Sequence, residues 1–273
     1  MSTRASHPAG TKSFIDLSEG TRVLEATVPK VAGAMRAVDD GDAKAIGHWT
    51  VRDVAAHLTD VAHDQHRITR GEGSVYSTTK EIPDVNDQRL RARENKDLHA
   101  LADEFETQMT SYISLLKSIE GDPIVSWAEL QIPQSAVVAS DIGELLVHGF
   151  DITHAEGKPW PIDPHAAGLS LKGISPVTMH YVDKEATAGV RAVFDVRIRG
   201  QWQLHFAFDD GKLKIEEPSS RRVDVHLSAD PVAFMLVGYG RVSHWGPLFK
   251  GQLLSWGRKP LLALKFPTFL KNP

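Results

Sequence analysis

The sequence predicts an α+β protein in which a four-helix bundle precedes a separate domain of strands and helices. The chain has 273 residues, more than the roughly 100–200 of one ordinary domain. Apolar residues recur at helical spacing through residues 21–156, between loops that contain Gly and Pro. The apolar–polar alternation typical of strands begins only near Val190. Helices followed by strands favour two units, each with its own core.

Composition and charge exclude several classes of protein. Hydrophobic residues make up 41% of the chain and charged residues 24%, as in ordinary globular proteins. The 31 Lys and Arg residues against 35 Asp and Glu give a net charge of −4, so we expect no nucleic-acid partner. With no Cys, the chain has no catalytic thiolate or disulfide of its own. It shows no signal-peptide pattern and no apolar run of about 18 residues, so we expect a cytoplasmic protein without a membrane span.

The four predicted helices of the first half are separated by loops rich in Gly and Pro. They cover residues 21–39, 50–71, 84–119 and 135–156, the third with a break near 95–96. Thr50 and Asp53 form a capping-box pattern at the start of the second helix. Gly157 and Pro159 stop the fourth. Four helices with intervening loops are typical of a bundle.

The second half predicts strands and shorter helices. The predicted strands are residues 190–198, 201–208, 212–216 and 223–228, with a further extended segment at 253–256. The predicted helices are residues 164–184, the segment 231–238 capped by Asp230, and a last apolar helix at the end of the chain. We therefore divide the chain into an N-terminal extension (1–20), a helical bundle (21–158) and an α+β domain (159–273).

One narrow polar stripe runs along the otherwise apolar fourth helix. It consists of Asp141, Glu144, His148 and Asp151, and no Lys or Arg offsets its carboxylates. Glu144 and His148 are four residues apart and project from adjacent turns of one face. A solvated helix face is the ordinary explanation of such a stripe. The alternative is a bound cation, because acidic groups cluster there with an imidazole.

His57 lies at the edge of the apolar stripe of the second helix. One interpretation is a hydrogen-bonded core histidine. The other is that His57 joins Glu144 and His148 across the bundle in a site of two histidines and one carboxylate, which leaves coordination positions open for water or substrate. His63 and His66 on the same helix are expected at the surface.

Two segments resemble signatures of the mycothiol-dependent maleylpyruvate isomerase family. They are Trp49-Thr50-Val51-Arg52-Asp53-Val54-Ala55-Ala56-His57-Leu58 and Glu144-Leu145-Leu146-Val147-His148-Gly149-Phe150-Asp151. Asp84-Val85-Asn86 and the segment 155–160 continue the resemblance, which covers about residues 21–162. It implies a DinB-like four-helix bundle that holds a divalent metal ion, usually zinc. The implied ligands are His57, Glu144 and His148.

The C-terminal part resembles a sterol carrier protein-like α+β domain. Ala229-Asp230 and Gly238-Tyr239-Gly240-Arg241 match its landmarks, and the resemblance implies that Arg241 reaches the metal cleft as a catalytic residue. The alternative for Arg241 is a surface residue that closes a helix C-terminus. The segment 249–253 and the apolar tail are more similar to a lipid-carrier domain than to the shorter ending of the isomerases.

The resemblance implies a metal-dependent enzyme whose thiol cofactor is mycothiol, the low-molecular-weight thiol of actinobacteria. Its reaction would be cis–trans isomerisation of a small-molecule substrate by thiolate addition and elimination, and Arg241 would stabilise the enolate charge. Two alternatives stay open. One is a mycothiol S-transferase that detoxifies electrophiles, and the other is a non-enzymatic carrier of lipids or small molecules in the C-terminal domain. The sequence does not predict an oligomeric state.

Overall fold

A computed structural model describes residues 13–271 and confirms the predicted α+β class. Its α-helices are α1 (Leu17–Arg36), α2 (Val51–Thr69), α3 (Ile82–Ala92), α4 (Leu98–Ser118), α5 (Gln134–Ala155), α6 (Pro164–Gly173), α7 (Ser175–Thr178), α8 (Pro231–Gly238) and α9 (Trp245–Phe249). Of the predicted N-terminal extension, residues 1–12 lie outside the described residues, and α1 begins within the remainder. Among residues 13–271, no helix is long and apolar enough to cross a membrane.

The four long helices α1, α2, α4 and α5 form the bundle, and each buries one apolar stripe in a shared core. Helix α1 begins at Leu17, before the predicted residue 21, because the Asp16 side chain accepts a hydrogen bond from the Glu19 amide and caps it there. The predicted break in the third helical stretch is confirmed, since α3 ends at Ala92 and α4 begins at Leu98.

Two short antiparallel ribbons lie in segments whose sequence predicted loops. The first pairs β1 (Lys44–Ile46) with β2 (Trp49–Thr50), and the second pairs β3 (Ile124–Trp127) with β4 (Leu130–Pro133). Strands of two to four residues are too short to show the alternation by which a strand is predicted. The first ribbon leads directly into α2 and thereby places Trp49 beside the start of that helix.

The C-terminal part contains one five-stranded sheet of order β7-β6-β5-β8-β9. Its strands are β5 (Arg191–Ile198), β6 (Trp202–Asp209), β7 (Lys212–Glu216), β8 (Val225–Ala229) and β9 (Leu253–Gly257). Neighbouring strands are antiparallel except for β5 and β8, which run parallel. Phe194, Phe206 and Phe208 from the sheet pack with Phe266 and Phe269 in a core of their own.

Two predicted helices of the second half differ in the structure. The helix predicted over residues 164–184 is the pair α6 and α7, because Pro176 has no amide to continue the hydrogen-bond ladder. The predicted last apolar helix is a 3-10 helix, Pro260–Phe269, which contains Pro267. By contrast α8 has the predicted bounds, and its Asp230 cap accepts from the Ala233 amide.

Helix α6 packs against the bundle, although it follows the predicted linker in the sequence. The Ser170 hydroxyl donates to the Ala139 carbonyl of α5 at 2.7 Å. Ala166, Ala167 and Leu169 are buried in the bundle core, together with Met235 of α8. The second half of the chain therefore completes the core of the first, and the domain boundary at residue 158 stays a prediction.

Candidate metal centre

The N-terminus of α2 holds the first predicted ligand in position. The Asp53 amide donates to the Thr50 hydroxyl, and the Asp53 carboxylate accepts from the Thr50 amide, so the predicted capping box is present. Lys96 donates to the other Asp53 oxygen at 2.6 Å, which ties the start of α2 to the segment before α4. His57 lies on the next turns of this anchored helix and is buried, with 7% of its surface exposed.

Helix α5 carries the other two predicted ligands and lies deep between its neighbours. Two glycines allow this close approach, because a Cβ at Gly143 would lie 2.8 Å from the Tyr239 hydroxyl and one at Gly149 would lie 2.2 Å from the Trp160 ring. The Trp160 indole N–H also donates to the Leu146 carbonyl at 2.9 Å. Asp141, His148 and Asp151 of its polar stripe are buried and Glu144 is half-buried, so the stripe is not a solvated face and that interpretation of the sequence is wrong.

His57, Glu144 and His148 come together in the structure. One ligand atom from each side chain lies within 4.8 Å of the other two. The Glu144 Oε2 atom is 3.4 Å from His57 Nε2 and 3.2 Å from His148 Nε2. Two imidazole nitrogens and one carboxylate oxygen form a donor set that suits a divalent transition metal such as zinc and leaves a coordination position open. The residues thus fit the metal that the resemblance implies.

The electrostatics of the triad favour the charged forms of Glu144 and His148. Burial alone would raise the pKa of Glu144, but the hydrogen bonds from His148 and His57 outweigh it and hold that pKa well below its usual range. Burial would likewise lower the pKa of His148, but Asp151 and Glu144 raise it to about 9. Without a metal ion, protonated His148 therefore lies against two carboxylates. A divalent cation at the triad would take over the role of that proton.

Asp151 connects the triad to Arg241. The Nδ1 atom of His148 lies 2.9 Å from Asp151 Oδ2, so the carboxylate orients the imidazole and leaves its Nε2 toward the triad. Arg241 binds the same carboxylate with two nitrogens, at 3.0 Å from Nε and 2.7 Å from Nη2. Its Nη1 donates to the Tyr239 carbonyl at 2.8 Å. Asp151 is 3% exposed and is therefore not the ordinary surface residue that its place in the sequence suggested.

Trp49 covers the two histidines from the side of the β1–β2 ribbon. Its ring centroid lies 5.0 Å from that of His57 and 6.5 Å from that of His148. The indole N–H donates to Asp87 at 2.8 Å, which holds the ring in this position. In the sequence Trp49 is one residue of a signature segment, and its position directly before the Thr50 cap is the signal that could have placed it in the site.

A cavity of about 580 Å³ opens beside the triad and is lined by both halves of the chain. Its wall includes His57, Glu144, His148 and Arg241, together with apolar residues of the C-terminal sheet. Gln65, two turns beyond His57 on α2, also lines the cavity. The Gln65 Oε1 atom is buried and has no hydrogen-bond partner among residues 13–271.

The remaining polar residues that the sequence singled out lie outside the triad. Asp141 is buried and accepts a hydrogen bond from the Tyr112 hydroxyl at 2.9 Å, away from the cavity wall. Burial raises its pKa well above the usual range of an aspartate. His63 pairs with Glu104 at 2.9 Å with 41% of its side chain exposed, as the surface prediction requires. His66 is half-buried and has no place in the triad.

Comparisons with known proteins agree with this architecture. Residues 24–153 match the mycothiol maleylpyruvate isomerase N-terminal domain, and residues 178–265 match the SCP-2 sterol transfer family. A crystal structure of a mycothiol-dependent maleylpyruvate isomerase aligns with a TM-score of 0.54 and 12% identity over 90% of this chain and 95% of that one. A histidine-to-alanine mutant of such an isomerase aligns over the same shares, with a TM-score of 0.54 and 11% identity.

At these identities the two solved structures establish the shared fold and nothing finer. A search of curated protein sequences gave no significant match. The two domain matches nevertheless follow one another along this chain, 90% of which the structural alignment covers. The chain therefore belongs to the mycothiol maleylpyruvate isomerase family through its N-terminal domain, which is joined to a domain of the SCP-2 sterol transfer family.

Proposed function

We propose that the chain is a metal-dependent enzyme that uses mycothiol in a maleylpyruvate isomerase-like reaction. The observation that carries this proposal is the convergence of His57, Glu144 and His148 in a cavity that Arg241 also lines. These three residues would hold the metal, for which zinc is the best match to the donor set. A divalent ion bound there would favour the thiolate form of an incoming thiol at neutral pH.

The chain itself contributes charge and orientation to such a reaction. Arg241 has five N–H groups, and its hydrogen bonds to Asp151 and Tyr239 use three of them. The two that remain can donate to a carbonyl oxygen of the substrate when negative charge develops there. Because Asp151 holds both Arg241 and His148, the charge-stabilising group and a metal ligand keep a defined relative position.

The absence of cysteine from the chain supports an external thiol as the nucleophile. Trp49 shields the two histidines from one side. We place the reaction in the cytoplasm, where low-molecular-weight thiols stay reduced. The substrate would be a small molecule with a cis double bond conjugated to a carbonyl group.

A mycothiol S-transferase is the second candidate, and the breadth of the cavity favours it. A volume of about 580 Å³ with many apolar residues in its wall can accept electrophiles larger than a short unsaturated acid. Both reactions would use the same triad and the same thiol. They differ in the product, since the transferase leaves the thiol attached to it.

Metal content and thiol-dependent turnover test the proposal together. We expect the purified chain to contain about one equivalent of zinc by mass spectrometry and to convert a cis unsaturated oxo acid only when mycothiol is present. His148→Ala should lose both the metal and turnover. His63→Ala is the matched control, because His63 also pairs with a glutamate but lies outside the triad. Full turnover without mycothiol, or equal loss in both variants, contradicts the proposal.

A further inference from the structure

The wall of the cavity beside the triad includes a cluster of charged side chains and a group of apolar side chains. The triad and Arg241 are joined by polar contacts in the charged cluster, whereas Phe206, Leu227, Phe234 and Phe266 of the C-terminal domain form the apolar group. All of these residues border one continuous space of about 580 Å³. A molecule that reaches the triad with its reactive group can therefore extend its remaining atoms along the apolar wall.

The charges of the wall limit which molecules fit this space. Apart from imidazoles, the cations among the described lining residues are Arg241 and Lys271. Arg241 already binds Asp151 through two nitrogens, and the Lys271 ammonium lies 3.6 Å from Asp183. Arg241 can serve one polar group with its remaining N–H groups, and the thiolate of the proposed function would take the open position on the metal, so a second carboxylate would find no unpaired cation there. Burying a carboxylate without a partner is costly.

We infer that the cavity takes an amphipathic electrophile with a single polar head and a long apolar body, rather than a short dicarboxylate. The head, an unsaturated carbonyl group, would lie between the triad and Arg241, and the hydrocarbon body would lie against β6, β8 and the C-terminal 3-10 helix. That the head is an unsaturated carbonyl group rests on the proposed function, whereas the apolar nature of the body rests on the apolar side chains of the wall alone.

Binding of saturated methyl ketones to the zinc-loaded full chain tests the apolar wall without chemistry. Ketones of 6 to 12 carbons displace a fluorescent naphthalene sulfonate probe, and their dissociation constants are compared. We expect affinity to rise by about fourfold for each added methylene until the cavity is filled. Dissociation constants that do not change with chain length overturn the inference.

Two variants of the wall make the test specific. Ala263 lines the cavity, and Ala263→Trp should remove the gain in affinity for the longest ketones and leave the shortest unchanged. Ala188→Trp is the matched control, because Ala188 is exposed and outside the lining. Leu264 is 43% exposed and lines the cavity, so Leu264→Asp should weaken long ketones at least tenfold without burying a charge in the core. Equal binding by wild type and both wall variants overturns the inference.

Turnover with mycothiol separates this inference from the proposed function. Methyl ketones with a conjugated double bond and the same chain lengths are compared with a short unsaturated dicarboxylate. We expect kcat/KM to rise with chain length. Turnover of the dicarboxylate together with chain-length-independent binding overturns the inference and leaves the proposed function standing. Chain-length-dependent binding without thiol-dependent turnover of any electrophile supports the apolar site and overturns the proposed function.

Discussion

At the scale of single residues, Asp151 joins the candidate ligands on α5 to a residue of the C-terminal domain. Its carboxylate lies 2.9 Å from His148 Nδ1 and accepts two hydrogen bonds from Arg241. Both partners carry positive charge when His148 is protonated, which keeps the pKa of Asp151 below its usual range despite burial. One buried side chain thereby controls the orientation of a candidate ligand and of the proposed catalytic arginine.

Replacing this carboxylate by an amide should weaken metal binding. We expect Asp151→Asn to lower zinc affinity by about 10- to 100-fold, because an outer partner orients the ligand imidazole and raises its basicity. Titration calorimetry on metal-depleted protein measures the effect. Asp103→Asn is the control, since Asp103 forms an exposed pair with Arg36. Unchanged zinc affinity in Asp151→Asn would refute the orienting role.

Replacing Arg241 should affect turnover and spare the metal. We expect Arg241→Ala to lower kcat by about 10²–10³, the usual cost of losing a donor that stabilises developing charge. Zinc content should stay near that of the wild type, because Asp151 keeps its hydrogen bond to His148. The comparison needs kcat and metal content on the same samples. A variant with normal kcat would show that Arg241 serves only to pair with Asp151.

At the scale of secondary structure, the side chains packed against helix α5 position the residues of the candidate metal site. Its helix is buried on several sides, and glycines stand where the Tyr239 and Trp160 side chains approach its backbone. The close approach of Tyr239 also brings the following Arg241 within reach of Asp151. The small residues of α5 therefore contribute to the site without carrying any chemistry.

A methyl group on α5 should destabilise the fold, whereas one on α1 should not. A Cβ at Gly149 would lie 2.2 Å from the Trp160 ring, so Gly149→Ala should lower the free energy of unfolding by about 1–3 kcal/mol through overpacking. Nothing lies within 4 Å of a Cβ at Gly33. Gly33→Ala should therefore raise the free energy of unfolding by about 0.5–1 kcal/mol, because Ala has the higher helix propensity. Urea denaturation measures both. An unchanged free energy of unfolding in Gly149→Ala would mean that the Trp160 ring moves aside at no cost.

At the scale of the whole molecule, the two sequence-predicted domains share both a core and a cavity. Helix α6 packs on α5, and Met235 of α8 is fully buried in the bundle core. Residues of both halves line the cavity. The bundle should therefore depend on residues that follow the predicted linker. Such dependence also keeps the apolar sheet in place against the triad.

Truncation tests how far the bundle is independent. We expect a chain that ends at residue 158 to lose cooperative thermal unfolding, because it exposes the α5 surface that Ala166, Ala167 and Leu169 cover. A chain that ends at residue 178 restores α6 and α7 and should regain a sharper transition at higher temperature. Circular dichroism melts compare the two. Identical cooperative melts would show that α6 adds nothing to the core of the bundle.

The sequence by itself determined the class of the fold and its long helices and strands, but not the short ribbons β1–β2 and β3–β4. Periodicity and caps are local properties, so α2 with its Thr50–Asp53 box and α8 with its Asp230 cap were predictable from neighbouring residues alone. The four-residue spacing of Glu144 and His148 also suffices to place both side chains on one helical face. A resemblance of whole motifs then selected His57 as their partner, although α2 and α5 lie far apart in the chain.

Only the tertiary structure decided which polar groups meet and what encloses them. The burial of Asp151, its bonds to Arg241 and the cover that Trp49 forms over the histidines depend on contacts between distant segments, for which periodicity carries no signal. The same holds for the packing of α6 on α5 and for the cavity between the bundle and the sheet. Local sequence specifies hydrogen bonding within an element, whereas a site is formed by the surfaces that several elements bury against one another.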